Sequence, residues 1–266
     1  MSQIALALAD GAIVAKRNLI KIKRVPELLI WTTMSPIMFV LLFGYVFGSS
    51  INISGASYRE FFIAGVFAQT VIFGASGTGV GMAEDMTKGI IDRFRSLPMA
   101  RSSVLVGRTG SDILYNSISI AVMAITGLIV GWRIRTGPFD AIVGFLLLLL
   151  FAYAVSWIMA YVGLKVASVE VVQNASFMFI FPMTFIANTF VPSHRLPDPL
   201  RIFAEWNPVS AVTQGVREAF GNTGGLPAPD AWSLDNPIAY TLIWVGIILA
   251  VFIPLSVRQY NRTAAR

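Results

Sequence analysis

The sequence predicts an all-α membrane protein. Six transmembrane helices follow an N-terminal amphipathic interfacial helix, with a cytoplasmic helix between spans 2 and 3 and short re-entrant outer helices between spans 5 and 6. Three observations predict this. Apolar runs close to the roughly 20 residues needed to cross a bilayer recur along the chain. Only 13% of the 266 residues are charged, against 56% hydrophobic, and mean hydropathy is +0.71; a soluble domain is about a quarter charged. The charges that remain gather at the ends of the apolar runs, above all in one island, Glu84–Arg101.

Residues 1–26 read as a basic helix lying in the interface plane. Ile4, Leu8, Ala15, Leu19 and Ile22 share one face, Asp10, Arg17, Lys21 and Arg24 the other, and Pro26 ends it. Residues 27–266 are expected to form one membrane domain, with spans at about 28–48, 61–82, 104–131, 139–164, 171–191 and 238–257. No cleavable leader is expected, because the first run, Leu28–Phe47, is longer than a signal-peptide core and follows a long polar lead. Spans 3 and 4 are long enough to tilt, and Pro36 and Pro182 predict kinks in spans 1 and 5. Gly74, Gly77, Gly79 and Gly81 in span 2, with a Gly-xxx-Gly pair at 77 and 81, predict close helix approach. Aromatic rows at i, i+4 spacing occur in span 1 (Phe39, Phe43, Phe47) and span 5 (Phe177, Phe181, Phe185). They admit two readings: a path for apolar or aromatic cargo, or ordinary packing and lipid contact.

The island cannot lie in lipid, where each of its charges would cost several kcal/mol at the bilayer centre. Its periodicity predicts a helix over 84–98. Met86, Ile90, Phe94 and Leu97 fall on one face, Glu84, Lys88, Asp92 and Arg95 on the opposite one, and Pro98 stops it. Such a surface helix, tied to two spans, is suited to passing force between a soluble partner and the membrane domain. Orientation follows from Lys and Arg. Fourteen lie in the N-terminal helix, in the island together with Arg108, at Lys165 and at the C-terminus. Six, Arg59, Arg133, Arg135, Arg195, Arg201 and Arg217, lie on the other side. The excess places both termini and the island in the cytoplasm. The longest polar segment, Pro192–Pro237, holds seven of the thirteen prolines and is then outside. Within it Leu200–Trp206 reads as a short amphipathic piece. Trp206, Asn207 and Pro208 then form a motif in which Asn207 caps a helix that Pro208 opens and Val209, Val212, Val216 and Phe220 continue.

Several chemistries are excluded or disfavoured. There is no cysteine, hence neither disulfide nor thiolate. None of the five lysines follows a glycine, so no P-loop is present to hold nucleotide phosphates. The single histidine, His194, has only Asp198 near it and makes a poor metal site. The net charge of +6 is explained by topology and calls for no nucleic acid. Arg108 and Asp112, one turn apart in span 3, are expected to pair locally as a structural feature. An intramembrane enzyme lacks an acid/base set. A stand-alone ion-coupled secondary transporter, the alternative reading, would need titratable groups at mid-membrane, and Asp112 lies close to the interface.

The order of parts resembles a type-2 ABC exporter permease, in the branch of the daunorubicin-type, multidrug-resistance efflux permeases. Glu84, Gly89, Arg93, Leu97, Pro98 and Arg101 match that family's acidic-x(4)-Gly…Leu-Pro…Arg pattern, and Asn207-Pro208 after an aromatic is a second match. The resemblance implies a permease in the plasma membrane of a bacterium that pairs with a second permease subunit, identical or homologous, and with two ABC ATPase subunits. ATP and Mg are then bound by the ATPase partner and no cofactor by this chain. It further implies that the helix containing Glu84, Asp85, Gly89, Ile90, Arg93, Phe94, Leu97 and Pro98 is the coupling helix, with Glu84 and Arg93 as polar contacts and Phe94 and Leu97 as anchors. The expected function is export of a hydrophobic drug, natural product or lipid by alternating access.

Overall fold

The centre of the molecule is a 30-residue helix, α3 (Tyr58–Thr87), 72% of whose apolar window is buried by the rest of the chain. At about 1.5 Å per residue it outruns the roughly 30 Å hydrocarbon core. The computed structural model describes residues 10–18, 20, 34, 36–42, 45, 58–95, 102–166, 168–223 and 230–263. Before α3 come α1, helical over 10–18, and α2, helical over 36–42. After it come α4 (Ile90–Arg95), α5 (Ser103–Val130), α6 (Pro138–Lys165), α7 (Val169–Phe185), α8 (Asp198–Glu205), α9 (Pro208–Phe220), α10 (Trp232–Asp235) and α11 (Pro237–Thr263). A 3-10 turn, Ser193–Arg195, precedes α8.

Helices in lipid gain little from excluding water, so close packing and hydrogen bonds must hold them together. α3 meets α6 most extensively and touches α5, α7 and α9 as well. α11, with only 17% of its window buried, is a peripheral helix held by α6 and α9. One core cluster gathers around Phe61, Phe62, Phe67, Trp132, Phe151 and Phe220. A second collects Met82, Ile91, Val104, Leu105, Trp157, Leu164 and Tyr260, which brings the ends of α3, α5, α6 and α11 together with α4.

Among the described residues four helices, α3, α5, α6 and α11, are long and apolar enough to span a bilayer. The expected fifth span, 171–191, is helical only to Phe185, giving a 17-residue α7 with Pro182 inside it. Its last carbonyls are met by the 186–190 turn and α9 rather than by further helix. The expected first span, 28–48, lies largely outside the described residues, with Phe43 and Phe47 among those left out.

One expectation about the charged island is corrected. The single helix over 84–98 does not form: α3 runs to Thr87, Lys88 and Gly89 turn, and α4 restarts at Ile90. The reason is local, because Gly89 adopts φ +64°, a conformation that side chains other than glycine's rarely take. The two-faced ladder is therefore split, and Ile91 rather than Ile90 is the residue buried in the cluster. Leu97, Pro98 and Arg101 lie outside the described residues. In α1 the inward face is Gly11, Val14 and Asn18; of the apolar face expected for residues 1–26 only Ala15, half-buried, is described, and Ile4, Leu8, Leu19 and Ile22 lie outside the described residues.

The segment after α7 folds as its capping motif predicts. The Asn207 side chain accepts from Val209 N at 2.9 Å, capping α9, with Pro208 at the first helical position. The same side chain donates to Met183 O at 2.7 Å, meeting an end carbonyl of α7. Asn207 thus satisfies two helix ends at once. Asn207→Ala is expected to cost about 1–2 kcal/mol from the cap alone, read as a drop of several degrees in Tm in detergent; Asn207→Asp, which keeps the cap but loses the donor, should fall between.

Candidate functional site

Two places gather the polar and aromatic residues that lipid contact does not require. The first is a hub at the α4 end of the bundle. Arg17 of α1 donates to Asp85 of α3 at 2.9 Å, and its guanidinium lies 5.0 Å from the Phe94 ring centroid of α4. Arg17 also donates to Asn18 Oδ1, whose amide donates to Ser111 Oγ of α5 at 3.0 Å. Close approach makes this possible: a Cβ on Gly107 would lie 2.5 Å from Gly11 O. One arginine therefore ties α1, α3 and α4 together, and its neighbour reaches α5. Outside this knot Lys88 pairs with Glu84 at 2.6 Å across an exposed turn. That hydrogen bond holds the lysine above its ordinary range. Arg93 is exposed.

From the hub a polar row descends α5. Arg108 and Asp112 do not pair with each other as expected; each reaches across to α3. Arg108 donates to Gly77 O at 2.9 Å, and Asp112 accepts from the Thr78 hydroxyl. One turn on, Asn116 sits over Gly74, where a Cβ would come within 2.4 Å of its Oδ1. Small residues on α3 thus accommodate a longer polar side chain at each turn of α5. The two helices are joined as one unit leading from the hub inward.

The second place is a cavity of about 560 Å³ at the far end of that unit. α3 lines it with Val66, Gln69, Thr70, Phe73 and Gly74, α5 with Tyr115 and Ser119, α2 with Pro36 and Phe39, and α7 with Gln173, Phe177, Phe181 and Phe185. The volume falls in the range of small-molecule sites, roughly 300–1,000 Å³. The span-5 row is a stack: Phe177 and Phe181 lie 5.1 Å apart, Phe181 and Phe185 4.0 Å. It continues through Phe185–Phe190 at 4.9 Å and Phe190–Phe62 at 5.6 Å. Of the residues singled out for a path, Phe39, Phe177, Phe181 and Phe185 are brought together, while Phe43 lies outside the described residues. The hub takes in Asp85 and Phe94, with Glu84, Gly89, Ile90 and Arg93 at its edge. Trp206 sits apart from both places, beside the start of α11, where its carbonyl accepts from Tyr240 and its ring faces Tyr240 at 6.0 Å. Trp206, Trp232, Tyr240 and Trp244 make a chain of aromatic contacts there, as suits a headgroup-level belt.

Sequence reasoning missed the inward role of Arg17, and it missed Gln69 and Gln173. The signal for the glutamines was present, since a polar side chain inside an apolar span is costly and marks a path or a partner.

A bundle of long apolar helices around such a cavity, in a chain without a nucleotide-binding loop, defines a multi-pass membrane permease. Residues 11–220 match the ABC-2 type transporter family, and the chain belongs to it. The match begins in α1 and ends with α9, so it contains the hub, the polar row and the cavity. Over 249 residues the chain is 30% identical to the daunorubicin resistance ABC transporter permease protein DrrB1 of Streptomyces coeruleorubidus, covering 94% of this chain and 85% of that one. It is 22% identical over 231 residues to a protein of Mycobacterium tuberculosis named as a probable doxorubicin resistance ABC transporter permease, DrrC, covering 86% and 80%. These relatives are permease subunits, and this chain is one of their class rather than a catalytic ATPase.

Proposed function

We propose that this chain is the membrane-spanning subunit of an ATP-driven exporter that moves a hydrophobic drug, natural product or lipid outward by alternating access. The observation that carries the reading is the aromatic-walled cavity joined by the α3–α5 unit to a hub at the opposite end. Drug-resistance permeases among its relatives support an aromatic or amphiphilic cargo. Two ATPase subunits, holding ATP and Mg, dock on the hub, where Glu84, Lys88 and Arg93 present charge and the Gly89 elbow gives α4 a separate lever. The excess of Lys and Arg at this end favours a cytoplasmic hub in a bacterial plasma membrane, with both termini inside. A second permease subunit, identical or homologous, completes the path beside α7, which turns Met178 and Phe179 away from the cavity.

The mechanism follows from the joints. Closure of the ATPases displaces α4 and, through Arg17 and Asp85, the end of α3. Arg108, Asp112 and Asn116 carry α5 along. The wall formed by Gln69, Phe73 and Tyr115 then shifts against the phenylalanine stack of α7, changing which side the cavity faces.

The test is export of a hydrophobic dye from vesicles containing the chain and its ATPase subunits. Export should require ATP and survive collapse of the proton gradient; export that stops with the gradient while ATP is maintained overturns the reading in favour of ion coupling. Glu84→Ala and Phe94→Ala are expected to insert normally yet lower export per ATP hydrolysed by about tenfold, equivalent to about 1.4 kcal/mol of lost coupling. Wild-type export by both variants sinks the docking assignment.

A further inference from the structure

Away from the cavity, α6 and α11 end together in a group of cations that the chain does not pair. The two helices run parallel. Both start against α9, where a Cβ on Gly215 would lie 2.9 Å from Leu147 and 3.4 Å from Ile238. Both end in the cluster that holds Leu164 and Tyr260. Along the seam between them Ser256 Oγ donates to Trp157 O at 3.2 Å, and the half-buried Tyr161 and Phe252 rings meet edge to face at 6.0 Å. Lys165, next to Leu164, therefore stands at the level of Arg258 and Arg262, and its ammonium lies 5.8 Å from the Tyr161 ring centroid. Arg258 and Arg262 flank the buried Tyr260 by two residues on either side, which puts them on the face of α11 turned from the core. All three cations are exposed, and none is paired with a carboxylate among the described residues. At the same end of the bundle Arg17 and Lys88 are matched by Asp85 and Glu84.

We propose that this seam binds one anionic phospholipid. The headgroup phosphate sits among Lys165, Arg258 and Arg262, and an acyl chain lies along the Tyr161–Phe252 seam. Basic groups between membrane helices at headgroup level attract anionic lipids, each cation adding about fivefold in affinity. A zwitterionic lipid brings its own cation to the phosphate and gains less from the cluster. A free phosphate gains nothing from the apolar seam. The lipid joins the end of α11, the least buried of the four candidate spans, to α6. Neither cargo nor ATPase is needed for it.

The experiment titrates the full chain in detergent with phosphatidylglycerol, with phosphatidylcholine of the same acyl chains, and with inorganic phosphate. Bound lipid is read by native mass spectrometry, alongside Tm. Wild type is expected to retain one phosphatidylglycerol and to melt higher with it, while phosphatidylcholine and inorganic phosphate leave Tm unchanged. Lys165→Gln, Arg258→Gln and Arg262→Gln should each weaken phosphatidylglycerol binding about fivefold, and the triple variant should lose the preference over phosphatidylcholine. All three side chains are exposed, so these variants keep the fold. Arg133→Gln, an equal loss of charge at the opposite end of α5, should leave binding within about twofold, since screening confines a surface charge to its surroundings. Equal retention of the two lipids by wild type, or a preference that survives the triple variant, overturns the site. An equal loss in Arg133→Gln assigns the effect to overall charge, and a rise in Tm with inorganic phosphate alone assigns it to a free anion; either result also overturns it.

Discussion

Arg217→Leu is expected to abolish most of the folded protein. Arg217 is 0% exposed, and no carboxylate pairs with it among the described residues. Its guanidinium instead serves backbone and amide oxygens. Nε donates to Phe61 O at 3.0 Å, Nη1 to Asn188 Oδ1 at 2.7 Å, and Nη2 to Asn188 O at 2.7 Å and Thr189 O at 3.0 Å. The cation also lies 3.5 Å from the Phe61 ring centroid, an arrangement that gains from desolvation. One side chain on α9 therefore holds α3 and the turn that closes α7. Leucine removes the charge that burial penalises, but it leaves the turn carbonyls without the donor that met them, at about 1–3 kcal/mol each. A loss on the order of 3–5 kcal/mol is a large fraction of the total stability of a typical domain, 5–15 kcal/mol. The readout is monodisperse yield and Tm in detergent. Arg217→Lys should be intermediate, since one ammonium cannot meet four oxygens as the planar guanidinium does. Wild-type yield and melting for the leucine variant would show that α9 is held by its packing alone.

Arg217 also marks a limit of what the sequence can say. Counted as one of the outer charges, it helped to orient the chain, yet nothing at its own position announces burial. Three of its four oxygen partners are main-chain carbonyls 28–29 and 156 residues away, and main-chain oxygens have no sequence signature. Spans 3 and 4 were legible to within a residue at each end, 104–131 against Ser103–Val130 and 139–164 against Pro138–Lys165, because long apolar runs bounded by polar residues leave little choice. The α9 start was legible for a different reason: Asn before Pro encodes a cap in the chain itself. The elbow at Gly89 was not, because Glu84 and Lys88 and the Met86, Ile90, Phe94 spacing all favour a continuous helix and only the backbone at Gly89 dissents. For the cavity, periodicity gave the phenylalanine row but not its partner wall. Gln69, Tyr115 and Ser119 come from two other helices, and helix-to-helix register is set by contacts that no single segment contains.

Gly163→Val is the second change expected to have a large effect, and it separates two meanings of glycine in these helices. The sequence draws attention to Gly77 and Gly81, a Gly-xxx-Gly pair on α3. Yet a Cβ at Gly77 meets nothing within 4 Å, and one at Gly81 meets the movable end of Arg108. The tight crossing is elsewhere. A Cβ on Gly163 of α6 would lie 2.3 Å from Gly79 O and 2.9 Å from the Gly79 carbonyl carbon and Cα, while a Cβ on Gly79 would lie 2.8 Å from Met159 O. Here backbone meets backbone, and backbone within a helix cannot step aside as a side chain can. Valine at 163 must therefore push α6 from α3, the most extensive packing in the molecule. Overpacking costs typically about 1–3 kcal/mol even where side chains can yield, so about 3 kcal/mol or more is expected, with a fall in Tm and loss of export. Gly77→Ala is the matched control. With open space around it and a better helix former in place, it should be neutral or stabilising by up to about 1 kcal/mol. If Gly77→Ala were the damaging change and Gly163→Val the mild one, the α3–α6 crossing would not be where α3 is anchored. The route from hub to cavity would then have to run through α5 without a fixed helix behind it.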